Sequence, residues 1–444
     1  MPMPTDISTR MNYASTLPSR QVALDLLVAV LEGGQPLSGA LEGLGSFATL
    51  AERDRAFVRH LVSTALRRLG QINAVIAACI DRPPRGRARA ILPLLQLGIC
   101  QLLFLKTPAH AAVDTTVRLA RQRGLASYAA LVNAVLRRVD RNGSELLAQQ
   151  DAARLNTPDW LWESWSRAYG EATCRDVAAA HLAEPPLDLS VKADVGQWAT
   201  QLGGQLLPTG TIRLANRGAI PALPGFAAGA WWVQDAAAAL PAGLLGAVGG
   251  RNLIDLCAAP GGKTAQLAAA GAVVTAVERD TLRLARLADN LRRLSLTASL
   301  IAADVEFWRP VVPADAVLLD APCTATGTIR RHPDILWARR PGDVGRLTPI
   351  QDRLLHAAAK MVVPGGRLIY AVCSLQPEEG PERIAAFLAS GAPFRREPIG
   401  AFEVGGLGML VDAAGDLRSL PCHLADVGGM DGFYACRLRC LGAS

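Results

Sequence analysis

The chain has 444 residues, half of them hydrophobic and few aromatic, with a formal net charge of +7. That is long enough for two or three domains over a core built mostly of Ala, Leu and Val. Nine scattered cysteines lack disulfide-framework and zinc-ligand spacing, which argues against a secreted scaffold and a metal site and fits a reducing, cytoplasmic setting.

The first twenty residues carry no apolar leader segment. Residues 1–150 hold 18 Lys and Arg against 10 Asp and Glu, whereas the remainder holds 28 against 29. A basic N-terminal third suits a polyanion, most simply nucleic acid, although a slightly basic soluble domain explains the charge equally well. Residues 20–32, 53–80, 91–105, 111–124 and 126–140 show apolar positions at three- and four-residue spacing, so an all-helical bundle is expected over residues 1–150. The most apolar of these, 91–105, is interrupted by Pro93, Gln96 and Gln101 and falls short of the ~18 continuous apolar residues of a membrane span. Asn156 to Asp159 reads as the cap of a Trp-rich helix. A linker helix and a small α+β subdomain follow over 151–225. From 226 to 444 short apolar strands alternate with helices at 262–270, 281–294, 346–363 and 378–389. Alternation of this kind means βαβ units and a doubly wound, Rossmann-like sheet, with 432–440 as a last strand.

Three strings in this α/β part carry chemistry. In DLCAAPGGKTAQLA, residues 255–268, a turn made of Cys257, Ala258, Ala259, Pro260, Gly261, Gly262 and Lys263 links a strand to a helix, where a nucleotide cofactor is normally held. The turn is not GxGxxG, and it lacks the spacing that brings backbone against a pyrophosphate. That favours S-adenosylmethionine over a dinucleotide. Glu278 ends the second strand, where a carboxylate accepts from a ribose diol or else helps Asp280 cap the next helix, and Asp304 ends the third, placed for an adenine amino group. Lys263 is one of only four lysines, and a compact ammonium there is suited to the cofactor's methionine carboxylate, unless its presence is chance.

The second and third strings are LLDAPCTATG and LIYAVCSLQPEE. Each puts a cysteine, Cys323 and Cys373, just past a strand, so both thiols face the crevice at the carboxyl ends of the sheet. Pro322 stiffens the turn that joins Asp320 to Cys323. Asp320 is placed to meet the Watson–Crick edge of a cytosine as well as the cofactor site. Buried structural cysteine is the usual alternative, and Cys79, Cys100 and Cys174 are assigned to it. Arg330, Arg331 and His332, just beyond the Pro-Cys loop, are candidates for holding RNA phosphates, against an ion pair with Asp334.

With DLCAAPGGKT, LLDAPCTATGTIRRHPDI and YAVCS on one chain, the sequence resembles the RNA 5-methylcytosine methyltransferases. The run Thr328 to Asp334 and the tail Asp431 to Tyr434 resemble the Sun/RsmB branch, which methylates 16S ribosomal RNA, and the helical N-terminus resembles that branch's NusB-like RNA-binding domain. Departures are Glu278, where many relatives carry Asp, and AAD in place of GD before residue 304. The resemblance implies an S-adenosylmethionine-dependent, metal-free, monomeric enzyme acting on 16S ribosomal RNA at cytosine 967. In the implied mechanism Cys373 attacks C6 of the flipped base, Asp320 recognises the base and stabilises the charge on the ring, and Cys323 assists product release. Transfer RNA as the substrate, a non-catalytic ribosome assembly factor and a nicotinamide-dependent oxidoreductase are the competing readings. The missing GxGxxG and the paired cysteines disfavour the last.

Overall fold

The computed structural model describes residues 17–215 and 219–442. The reading of the first residues as lacking a leader therefore falls almost wholly outside the described part. Among the described residues no helix is long and apolar enough to cross a membrane. The chain forms two units: one runs to Trp162 and takes in His332–Ala338, and the other comprises Glu163–Arg331 and everything from Arg339 onward.

In the first unit the main helices are Leu17–Leu31, Glu52–Arg67, Leu69–Cys79, Leu92–Leu103, Ala109–Gln122 and Ala129–Ala148. Their apolar stripes meet in one core in which Leu27, Val58, Leu61, Leu66, Ile72, Leu95, Ile99 and Leu136 are fully buried. The periodic stretch 53–80 forms two helices, broken at Arg68, where φ is −110° and ψ 12°. Gly70, just past the break, lies so close to the Leu155 carbonyl that a Cβ there would sit 1.7 Å from its oxygen. Asn156, expected to cap the Trp-rich helix Asp159–Tyr169, turns back instead, donating to Gln71 Oε1 at 3.0 Å and accepting from the Gln71 N–H at 3.2 Å.

The second unit holds twelve strands among its described residues. β1 (Leu187–Val191), β2 (Gln205–Leu206), β3 (Ile212–Leu214) and β4 (Trp231–Val233) make a small antiparallel sheet in the order β2-β3-β1-β4. Pairing of β4 with β1 carries this sheet past the expected limit at residue 225. The large sheet is built from β5 (Asn252–Leu256), β6 (Val273–Glu278), β7 (Ser299–Ala302), β8 (Ala314–Asp320), β9 (Val362–Val372), β10 (Phe394–Arg396), β11 (Leu417–Ser419) and β12 (Phe433–Cys440). Its order is β10-β12-β9-β8-β5-β6-β7, with β11 also on β12. Strands β5 to β9 are parallel, and β12 runs antiparallel to β9.

Leu354, Leu355, Ile384 and Phe387 cover one face of this sheet, and Leu240, Leu244, Leu245 and Leu267 the other. Buried on both sides, the strands read as continuous apolar runs. The chain winds outward from β5 through β6 to β7, then returns to place β8 on the other side of β5. That reversal is the topological switch point, and a crevice opens at the carboxyl ends of β5 and β8.

Candidate active site

β8 and β9 pair in parallel with Asp320 opposite Ala371, so the two strands end side by side. The residues that follow them are therefore neighbours, and the Cys323 and Cys373 sulfurs lie 3.5 Å apart. Both thiols are half-buried, and all nine cysteines of the chain are free. Ala325, at φ +60°, turns the chain back after Cys323. The Gly327 N–H then donates to the Cys373 carbonyl at 3.0 Å, and the Gly432 N–H donates to the Gly327 carbonyl at 2.8 Å. A Cβ on Gly327 would stand 1.9 Å from the Gly432 oxygen, so only glycine fits this clasp.

Asp320 is one-third exposed, and Lys263 donates to its Oδ2 at 2.7 Å. Lys263 is buried, with its ammonium 5.1 Å from the Phe433 ring centre. Burial alone would lower the lysine's pKa, but the charge of Asp320 and its hydrogen bond outweigh that and raise it. The Lys263 ammonium is thus paired with Asp320 at the mouth of the sheet. The Cys323 thiol is raised well above the ordinary range, first by its hydrogen bond to Cys373, then by burial and by the charges of Cys373 and Glu379. Cys257 is also raised, by burial and the carboxylates of Glu278 and Asp320.

A cavity of about 330 Å³ runs along the strand ends, lined by Cys257, Ala259, Glu278, Asp304, Asp320, Pro322, Cys323 and Cys373. Glu278 is buried at the end of β6. Its Oε1 accepts from the Asp280 N–H at 3.1 Å, while Oε2 has no hydrogen-bond partner among the described residues and lies 3.4 Å from Arg283 Nη1. An unsatisfied buried carboxylate oxygen in a cavity wall is what a hydroxyl-bearing ligand would complete, so the residues present fit an adenosine-type cofactor. Asp280 itself caps the helix Thr281–Leu294. Asp304 is exposed on the same wall and accepts from the Glu306 N–H at 2.9 Å.

The rest of the Gly-rich turn is placed elsewhere. Pro260, Gly261 and Gly262 line a second cavity of about 200 Å³ with Trp232, Asn290 and Arg293, and Ala258 and Lys263 line neither. Gly261, at φ +100°, starts the helix Gly262–Ala269.

Arg330 is also not where a phosphate could reach it. It is 1% exposed, its guanidinium donates to the Gly428 carbonyl and it lies 3.9 Å from both Asp235 and Asp431. Arg331, exposed, is held by Asp431 Oδ2 at 2.6 and 2.7 Å. The carboxylate that pairs these arginines is Asp431, 100 residues away, and not Asp334, which accepts from the Leu37 N–H at 3.0 Å. His332 is half-buried at the start of the segment that belongs to the helical unit. Sequence reasoning missed Glu379 and Gln351, which brace the two cysteine loops, and Arg283, which donates to the Ala259 carbonyl at 2.6 Å. The acidic pair of SLQPEE was the one visible signal, and at a helix start it reads as ordinary dipole complementation.

The family described as 16S rRNA methyltransferase RsmB/F matches residues 242–439, and the NusB family matches residues 17–141. Ribosomal RNA small subunit methyltransferase B of Cronobacter sakazakii is 37% identical over 406 residues, spanning 87% of this chain and 94% of that one. The protein of the same name from Klebsiella pneumoniae is 38% identical over 387 residues, 83% of this chain and 89% of its own. Among solved structures, that of the protein PH0851 has a TM-score of 0.73 at 22% identity over 95% of this chain and 98% of that chain, a likeness of fold. A methyltransferase homologue from Pyrococcus horikoshii has a TM-score of 0.53 at 26% identity, covering 63% of this chain and 94% of its own. The chain therefore belongs to the 16S rRNA methyltransferase RsmB/F family of S-adenosylmethionine-dependent enzymes, with a NusB-family domain preceding the methyltransferase domain in the sequence.

Proposed function

We propose that this protein methylates C5 of a cytosine in 16S ribosomal RNA, by resemblance cytosine 967, through a covalent bond between Cys373 and C6. The observation that carries the reading is the meeting of two thiols, 3.5 Å apart, and the Asp320 carboxylate in one cavity at the switch point. Neither a dinucleotide site nor a passive binding surface needs that constellation. The names of the relatives, methyltransferases of small-subunit ribosomal RNA, support the substrate.

Glu278 would hold the ribose hydroxyls of S-adenosylmethionine and Asp304 its adenine amino group. When bound, the cofactor supplies an electrophilic methyl group on a sulfonium sulfur. Cytosine C5 is a poor nucleophile, so the ring must first be activated, and the base has to leave its stack to reach the thiol. The Cys373 thiolate forms a bond to C6, and the C5–C6 π pair moves onto C5. Asp320 meets the base at N3 and the exocyclic amine; with Lys263 on its Oδ2, the pair has a proton to share as charge builds on the ring. Once C5 carries the methyl group, its proton leaves to solvent with Cys323 as the relay. The C6–sulfur bond then breaks, its electron pair returning to Cys373.

The test is transfer of labelled methyl to unmethylated 16S ribosomal RNA, beside a transfer RNA pool. Label should enter one 16S cytosine, vanish in Cys373→Ala, and give way to a trapped protein–RNA adduct in Cys323→Ala. Label only on transfer RNA would overturn the substrate, and an adduct that survives Cys373→Ala would overturn the nucleophile.

A further inference from the structure

Glu379 lies in the turn Pro377–Glu379 after β9 and is fully buried, yet it does not line the cavity of the two thiols. Its carboxylate takes four hydrogen bonds. Oε1 accepts from the Thr324 N–H at 2.9 Å and from Gln351 Nε2 at 3.0 Å. Oε2 accepts from Ser374 Oγ at 2.6 Å and from Thr324 Oγ1. Thr324 is the residue after Cys323, and Ser374 is the residue after Cys373. Gln351 Nε2 donates as well to the Pro322 carbonyl at 2.9 Å, on the other side of Cys323. Around them, Thr326 Oγ1 accepts from the Leu375 N–H at 3.0 Å, and Ser374 Oγ accepts from the Gln376 N–H at 3.0 Å.

We infer that Glu379 is the positioning residue that holds the two thiols against each other, so that product release assisted by Cys323 depends on it. The inference rests on the methylation mechanism proposed above. A buried carboxylate with a merely structural role can be satisfied by any nearby donors. Here both oxygens are committed to residues that flank the two cysteines, 50 positions apart in the chain. The negative charge of Glu379 also raises the Cys323 thiol, after the hydrogen bond to Cys373 and burial. Glu379 touches neither base nor cofactor in this arrangement; it acts through where it puts Cys323.

Glu379→Gln keeps the size of the side chain but turns one acceptor oxygen into a donor facing hydroxyls. Turnover on 16S ribosomal RNA should fall about 100-fold, the loss a misplacement of about 1 Å brings, with KM for RNA and cofactor unchanged. With ordinary cytosine RNA, a covalent protein–RNA complex should accumulate as it does in Cys323→Ala. Wild-type turnover would overturn the inference, and so would lost turnover without accumulated adduct. Should Glu379→Gln not fold, Thr324→Val, which removes only the hydroxyl donor, is expected to accumulate the same adduct to a lesser degree, and its absence would overturn the inference equally. Wild-type enzyme with 5-fluorocytosine RNA is the control. Failure to trap a complex there would count against the methylation mechanism and not against Glu379.

Discussion

Asp255, in the body of β5, has one oxygen bonded by Thr264 Oγ1 at 2.6 Å and the other without a hydrogen-bond partner among the described residues, and it is fully buried. Burial pushes its carboxyl up to about 7. An unfolded aspartate titrates near ~4. Between those values the folded chain keeps a proton that the unfolded chain has released, so stability falls as pH rises through that window. Asp255→Asn, which cannot ionise, is expected to lack this decline. Its urea unfolding free energy relative to wild type should improve by roughly 4 kcal/mol between pH 4 and pH 8. An unchanged difference between the two proteins would remove the titration from Asp255. At this scale the sequence was informative where function sits at strand ends. Cys323, Cys373, Asp320 and Glu278 could be placed because an apolar run followed by a polar residue marks the mouth of a parallel sheet. The partner of Lys263, 57 residues away, and the braces from Glu379 could not, because only the tertiary fold brings them together.

Among the elements, the loop between β8 and the segment at 332 depends on Gly327, whose missing side chain lets the Gly432 carbonyl and the Cys373 carbonyl close around it. Gly327→Ala has to push backbone from backbone, and the loop that carries Cys323 moves with it. Methyl transfer is expected to fall by about 100-fold, with cofactor affinity retained, since none of the cavity carboxylates rests on this loop. Equal losses in both measurements would mean the whole crevice had shifted. Periodicity located most of the helices and strands but not their interruptions. The stretch 53–80 is periodic throughout, yet the helix breaks at Arg68, and just past the break the Leu155 carbonyl packs against Gly70. Val362 and Val363 read as the end of the helix at 346–363, yet β9 starts there, with a register shift against β8 and Gly365 at φ +74°. The three-residue strands β4, β10 and β11 do not stand out in the sequence, being too short to show a period of their own.

For the molecule as a whole, the basic excess of residues 1–150 meets an exposed run in which Arg82, Arg85 and Arg89 stand in solvent and Arg87 Nη2 donates to the Gly124 carbonyl at 3.1 Å. Replacing Arg82, Arg85 and Arg89 with alanine is expected to weaken RNA binding and to flatten its salt dependence by about 0.9 in log–log slope for each phosphate that is no longer neutralised. Arg330→Ala should leave that slope alone and lower the unfolding midpoint, because it leaves the buried Asp235 without the guanidinium beside it and Asp431 with Arg331 alone. A reduced slope in Arg330→Ala would restore its assignment to RNA. The succession of helical bundle, small α+β part and α/β sheet was legible from composition and period alone. The membership of His332–Ala338 in the helical unit was not, since seven residues carry no periodic signature.

That short segment has a consequence for how the chain is made. Trp337 Nε1 donates to the Leu66 carbonyl at 2.7 Å, and Asp334 accepts from the Leu37 N–H, so the helical unit completes these bonds with residues synthesised long after its own last helix. A ribosome adding ~5–20 residues per second takes about 10 to 35 seconds to travel from Trp162 to Ala338. Through that interval the first unit waits with its last pieces missing, and it closes only after β8 and the Pro-Cys loop have emerged.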